Sequence, residues 1–150
     1  MNIKDNKRHQ ETIQRVYATF AELLWEQELN KVSVTALCEA ANIDRSTFYA
    51  NFEDITALAN SYAAEIEKQV AAQPHVEGEF AWIFEYIFKN KELFQVYFKL
   101  GNSQTAADYK MLFFRNGVYS VAKLWFEGGC FDTPQKMGEI IQREYKKLFD

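Results

Sequence analysis

Apolar residues in this chain recur at helical spacing over most of its length and nowhere show the strict alternation of a half-buried strand. That pattern restricts the fold to helices packed on helices. Ile13, Val16, Tyr17, Phe20, Leu23 and Leu24 share one side of a first helix spanning about residues 7–27, and Glu11, Gln14, Arg15 and Glu22 take the other. With only 2 prolines and 6 glycines, the helices are interrupted in few places. Pro74 and Gly78 mark a loop after a helix carried by Leu58, Tyr62, Ile66 and Val70, which the acidic pair Glu53-Asp54 starts. Phe80, Ile83, Phe84, Ile87 and Phe88 resume the pattern, Asn90 punctuates it, and residues 92–100 continue it. After a turn at Gly101-Asn102-Ser103 comes a long helix over about residues 104–127, closed by Gly128-Gly129. Thr133-Pro134, a capping hydroxyl before a proline at the first helical position, opens the last helix.

The hydrophobic fraction of 48% is ample for a packed core and excludes wholesale disorder. The net charge of -4 does not advertise a nucleic-acid protein, but net charge bears on solubility and steering rather than on fold. Cys38 and Cys130 are far apart and fit neither a metal-binding spacing nor a disulfide framework. His9 and His75 are isolated, no phosphate-cradling glycine loop occurs, and no acid, base and nucleophile cluster together. An enzyme is therefore not expected, nor a cofactor or metal. The N-terminus lacks the apolar stretch of a signal peptide, and no apolar run approaches membrane-spanning length, so a cytoplasmic protein is expected.

The informative segment is residues 33–52. Ser33 stands where its hydroxyl can cap a short helix from Val34 to Ala41, with Val34, Leu37, Cys38 and Ala41 inward. Asn42 tolerates the left-handed backbone of a tight turn. Asp44 is placed to cap a third helix from Arg45 to about Asn51, anchored by Phe48 and Phe52. Two short helices joined in this way form a helix-turn-helix, whose second helix enters the DNA major groove. Arg45, Ser46, Thr47 and Asn51 are then positioned toward base edges, Arg suiting guanine and Asn adenine. Thr35, at the start of its helix, is positioned toward a phosphate.

The stretch VSVTALCEAANIDRSTFYANF, residues 32–52, resembles the signature of TetR-type transcriptional regulators, most specifically in Thr47-Phe48-Tyr49 and Phe52. The match covers roughly the first third of the chain. Beyond it, Asn90-Lys91-Glu92-Leu93-Phe94 and the Trp125-Phe126-Glu127-Gly128-Gly129 helix end before Thr133-Pro134 resemble short C-terminal domains of some members. Asn42 stands where the family has glycine and Cys38 where it has alanine. Ile55 stands where many members carry a phosphate-pairing lysine. Residues 28–55 hold two positive against five negative side chains, a balance of -3.

The resemblance implies an all-α fold: a three-helix helix-turn-helix domain over residues 1–53, then a small antiparallel bundle over residues 54–150 for effector binding and dimerisation. It implies a sequence-specific DNA-binding regulator, a repressor that acts as a homodimer on double-stranded DNA and is released by a small apolar or aromatic effector. It gives Tyr49 a phosphate contact. Tyr86, Phe94, Tyr97, Tyr109 and Phe113 are candidates for an effector pocket, with plain core packing as the alternative reading of the same aromatic wealth. Val118, Val121, Ala122 and Trp125, with Met137, Ile140, Ile141, Tyr145 and Leu148 on the last helix, are the expected dimer interface. The acidic motif and Ile55 leave a second reading, an interaction protein of the same fold that binds DNA weakly and acts through a protein partner.

Overall fold

A computed structural model describes residues 3–76, 79–101 and 109–149, and every regular element among them is helical. In chain order these are α1 (Ile3–Glu26), a 3₁₀ turn (Leu29–Lys31), α2 (Val34–Ala41), α3 (Arg45–Tyr49) and α4 (Ile55–Ala71). Then come α5 (Ala81–Lys89), α6 (Lys91–Leu100), α7 (Tyr109–Glu127) and α8 (Pro134–Phe149). No described helix is long and apolar enough to cross a membrane.

The chain forms two compact units. The first comprises residues 1–62 with 99–101, and the second residues 63–98 with 102–150. In the first, α1 buries Val16, Tyr17, Phe20 and Leu24, the spacing its sequence predicts. It starts one turn earlier than expected. The Tyr17 ring stacks on Tyr62 of α4 at 4.8 Å, and its hydroxyl shares a 2.7 Å hydrogen bond with Ser61 Oγ. The last turn of α1 carries no basic residue of its own. Lys99 donates to the Leu24 carbonyl at 2.7 Å instead, supplying the positive charge a helix C-terminus favours.

Side-chain caps close the first turns of α4 and α8. Asp54 Oδ1 accepts the Ala57 N–H at 2.7 Å ahead of α4, and Thr133 Oγ1 accepts the Lys136 N–H at 3.2 Å ahead of α8. Asn90 ends α5 by donating its side-chain amide to the Tyr86 carbonyl at 2.7 Å. Gly129, at φ +89, ends α7 in the left-handed region, and Cys130 follows it there at φ 56.

The core of the second unit is aromatic. Phe84 is fully buried with the Trp125 ring edge-on to it at 5.4 Å, and Phe114, Tyr145 and Phe149 form a contiguous set. α8 lies close against α5, because Gly138 lets the backbones meet. A Cβ at that position would collide with the Ala81 backbone. Several residues expected at a dimer interface are packed within their own chain. Ala122, Trp125, Met137 and Ile141 are buried within their own chain, and Val118, Val121, Ile140, Tyr145 and Leu148 are half-buried. The stripe on α8 is wide because it covers α5, and a charge at Ile141 would strike this chain's own core.

Candidate nucleic-acid interface

The turn between α2 and α3 is built by local chemistry. Ser33 has extended backbone and its hydroxyl accepts the Ala36 N–H at 3.1 Å, closing the first turn of α2. Asn42 ends α2 in the left-handed region at φ 50, ψ 54, and its N–H bonds back to the Cys38 and Glu39 carbonyls. The chain then reverses through Ile43, whose N–H reaches the Cys38 carbonyl at 3.0 Å. Asp44 has the extended backbone of an N-cap but makes no side-chain cap bond, so its carboxylate stays available. α3 ends at Tyr49, two residues short of the expectation, and Ala50, Asn51 and Phe52 continue as turns bonded to Ser46 and Phe48.

Packing orients this corner. Leu37, Cys38 and Ala41 bury one face of α2. Phe48 is 1% exposed and stands 5.6 Å from the Phe52 ring, so both phenylalanines are core, as expected. Val34 and Ile43 are only half-buried. Burial pushes the Cys38 thiol above its ordinary range, and the nearby Arg45 opposes that shift.

The polar residues singled out for DNA lie in this one segment and differ in availability. Thr35, Arg45 and Ser46 are exposed, and Tyr49 is 50% exposed. Arg45 Nη2 donates to the Tyr49 hydroxyl at 3.4 Å, with the guanidinium 5.9 Å from the ring centre, which links the two side chains along the outer face of α3. Thr47 is half-buried. Asn51 is also half-buried, and its amide donates to the Thr47 carbonyl at 2.8 Å, so one of its two donors is already engaged in ending α3. Ile55 is half-buried at the start of α4, beside a second hollow lined by Glu28, Asn30 and Thr56.

Of the residues expected to line an effector pocket, Tyr86, Phe94 and Tyr97 come together and Phe113 does not join them. Phe113 is 70% exposed on α7, so it lines no interior pocket. Phe94 is packed edge-on against Tyr86 at 6.0 Å and Tyr97 at 5.7 Å, as core aromatics pack. The Tyr97 hydroxyl donates to Glu67 Oε1 at 2.9 Å, and Arg115 Nη1 lies 3.9 Å from Glu67 Oε2. Burial first, and the Glu67 carboxylate second, raise Tyr97 far above the ordinary tyrosine range. The side chain of Tyr109 falls outside the described residues.

Sequence reasoning missed Glu39. It is exposed on the face of α2 that shares an open cleft with Arg15 and Arg45. Its spacing from Thr35 and Asn42 along α2 was the available signal. Among the described residues, no group of three His, Cys, Asp or Glu side chains is arranged to hold a metal ion. No protein-family model matches the sequence, and no curated protein matches it.

Proposed function

We propose that this chain is a helix-turn-helix regulator of the TetR type that binds double-stranded DNA as a homodimer and represses transcription until an effector releases it. The observation that carries the reading is the α2–turn–α3 corner, in which a Ser33 cap and a left-handed Asn42 hold two short helices, with Thr35, Arg45, Ser46 and Tyr49 exposed. In this reading α3 lies in the major groove. Arg45 reads a base edge, and Thr35 and Tyr49 hold phosphates.

One helix-turn-helix reads only a few base pairs, so a two-fold pair is needed to read two half-sites. The outer face of α7 suits that pairing better than the buried stripes. Phe113, Gly117, Ser120 and Leu124 are all exposed, Leu124 at 73%. The order large, small, small, large is symmetric about its midpoint. An antiparallel copy therefore sets Phe113 opposite Leu124 and Gly117 opposite Ser120, as a self-complementary interface requires.

The test is selection of bound duplexes from a random pool, followed by titration of variants. Arg45→Ala weakens the selected duplex by about 1–3 kcal/mol and relaxes one position. Tyr49→Phe weakens all duplexes alike. Leu124→Glu yields a folded monomer by light scattering, with lost operator affinity. A pool that shows no enrichment, or an affinity indifferent to both Arg45→Ala and Tyr49→Phe, removes the reading.

The balance of -3 across residues 28–55 favours the second reading, an interaction protein with weak DNA binding. Phosphate neutralisation gives a steep fall of affinity with salt, so a flat salt dependence with genomic fragments selects the interaction protein over the regulator.

A further inference from the structure

Within the first unit, α1 and the α2–α3 corner leave an open cleft of about 600 Å³. Four charged side chains line it: Arg15 from α1, Glu39 from α2, Asp44 from the turn and Arg45 from α3. Some charged residues of this protein find partners one turn away, as in Lys7–Glu11 on α1, Lys89–Glu85 on α5 and Lys123–Glu127 on α7. The four around the cleft do not pair with one another or with any other charge among the described residues. Arg45 bonds only to the Tyr49 hydroxyl. Opposite charges thus share one open cleft without forming an ion pair.

The lining defines the ligand's chemistry. Two guanidiniums offer forked donors suited to a carboxylate or phosphate. Two carboxylates accept from an amine. Thr12, Thr35 and Thr47 add hydroxyls. No aromatic ring lines the cleft, so a nucleobase would find nothing to stack on. A phosphate alone would leave both carboxylates facing like charge. A ligand with both an anionic and a cationic end satisfies all four groups, and the smallest such class is the free amino acid.

We infer that the cleft between α1 and the α2–α3 corner binds a free amino acid as its zwitterion, the carboxylate on Arg15 and Arg45 and the ammonium on Glu39 and Asp44. Arg45 and Thr47 line the cleft and also belong to α3, so a bound amino acid takes them from DNA and acts as a direct competitor. That consequence rests on the DNA-binding proposal, whereas the binding itself does not.

The experiment tracks backbone amides of the uniformly ¹⁵N-labelled full chain while each standard L-amino acid is added alone at millimolar concentration. At least one gives saturable shifts at Thr35, Glu39, Asn42 and Arg45. Arg15→Gln and Glu39→Gln, both at exposed positions, each weaken it by about tenfold or more. If no amino acid saturates, or if affinity survives both substitutions, the site is refuted. In a second arm the duplex selected from the random pool is titrated with and without saturating amino acid, and its affinity falls about tenfold. Binding without that fall refutes the competition and keeps the site. If the pool yields no duplex, the DNA reading fails by itself and the amide titration still decides the site.

Discussion

The corner formed by α2 and α3 and the aromatic interior of the second unit solve the same problem, a defined geometry from short helices, by opposite means. In the corner, a few local contacts do most of the shaping. Ser33 closes one turn, Asn42 reverses the chain, and Phe48 and Phe52 anchor α3 and the turns at its end. Between these anchors Thr35, Asp44, Arg45 and Ser46 remain exposed. In the second unit two polar aromatic side chains are bonded within the chain. Tyr97 bonds Glu67, and Trp125 Nε1 donates to the Asp132 carbonyl at 2.9 Å. The difference teaches where recognition can reside. A side chain already satisfied inside the chain must break a bond before it serves a ligand, and one left outside needs only to lose water.

The largest effect that tests this contrast is at Trp125, which is 7% exposed. Trp125→Ala leaves a cavity beside Phe84 and costs about 3–5 kcal/mol of folding stability. Denaturant unfolding at several protein concentrations measures it. A loss that is the same at every concentration marks Trp125 as core. A loss that vanishes at low concentration, where any dimer is already apart, would return it to the interface.

The hydroxyl of Tyr97 comes next. Tyr97→Phe strips a hydrogen bond from a carboxylate and costs about 1.5–3 kcal/mol. The hydroxyl's raised folded pKa also sets a pH dependence. The folded state favours the neutral phenol, so its contribution is intact below the ordinary tyrosine value of 10.0 and is lost as pH rises above it. Thermal unfolding of the parent chain should therefore weaken above that pH, and the phenylalanine variant should weaken less. Parallel curves for the two proteins would remove Tyr97 as the cause.

The smallest effects belong to the corner. Asn42→Ala forces a less tolerant residue into the left-handed region at φ 50 and costs about 1–2 kcal/mol. Ser33→Ala removes one cap and costs about 1 kcal/mol. Urea midpoints rank them. Asn42→Gly should be neutral or slightly stabilising. If Asn42→Gly destabilises as much as Asn42→Ala, the side chain is needed for more than its backbone tolerance.

Much of the molecule is fixed by local sequence because its signals are local. A hydroxyl three residues before an amide closes a turn wherever it occurs, which is why the starts of α2 and α8 were legible at Ser33 and Thr133. An asparagine after an apolar turn ends a helix for the same reason, as at Asn42 and Asn90. Periodicity told which side of α1 is buried, since Val16, Tyr17, Phe20 and Leu24 can share only one face. It could not tell what that face meets. The stripe of Met137 and Ile141 reads alike whether it covers α5 of its own chain or a second copy, and only the tertiary structure shows Gly138 in close approach to Ala81. The aromatics of α5 and α6 are apolar on any reading, and whether they fill a core or line a cavity depends on neighbours far away in sequence. Asp44 kept its carboxylate free although its backbone is that of a cap, and Glu39 acquired a role only when α1 brought Arg15 to the same cleft. Sequence by itself determined the helices, the caps at Ser33 and Thr133 and the buried side of α1, because hydrogen bonds within a turn and the helical repeat act over a few residues. The tertiary structure alone decided which faces meet and which charges are left without partners, because those depend on distances between residues that only folding brings close.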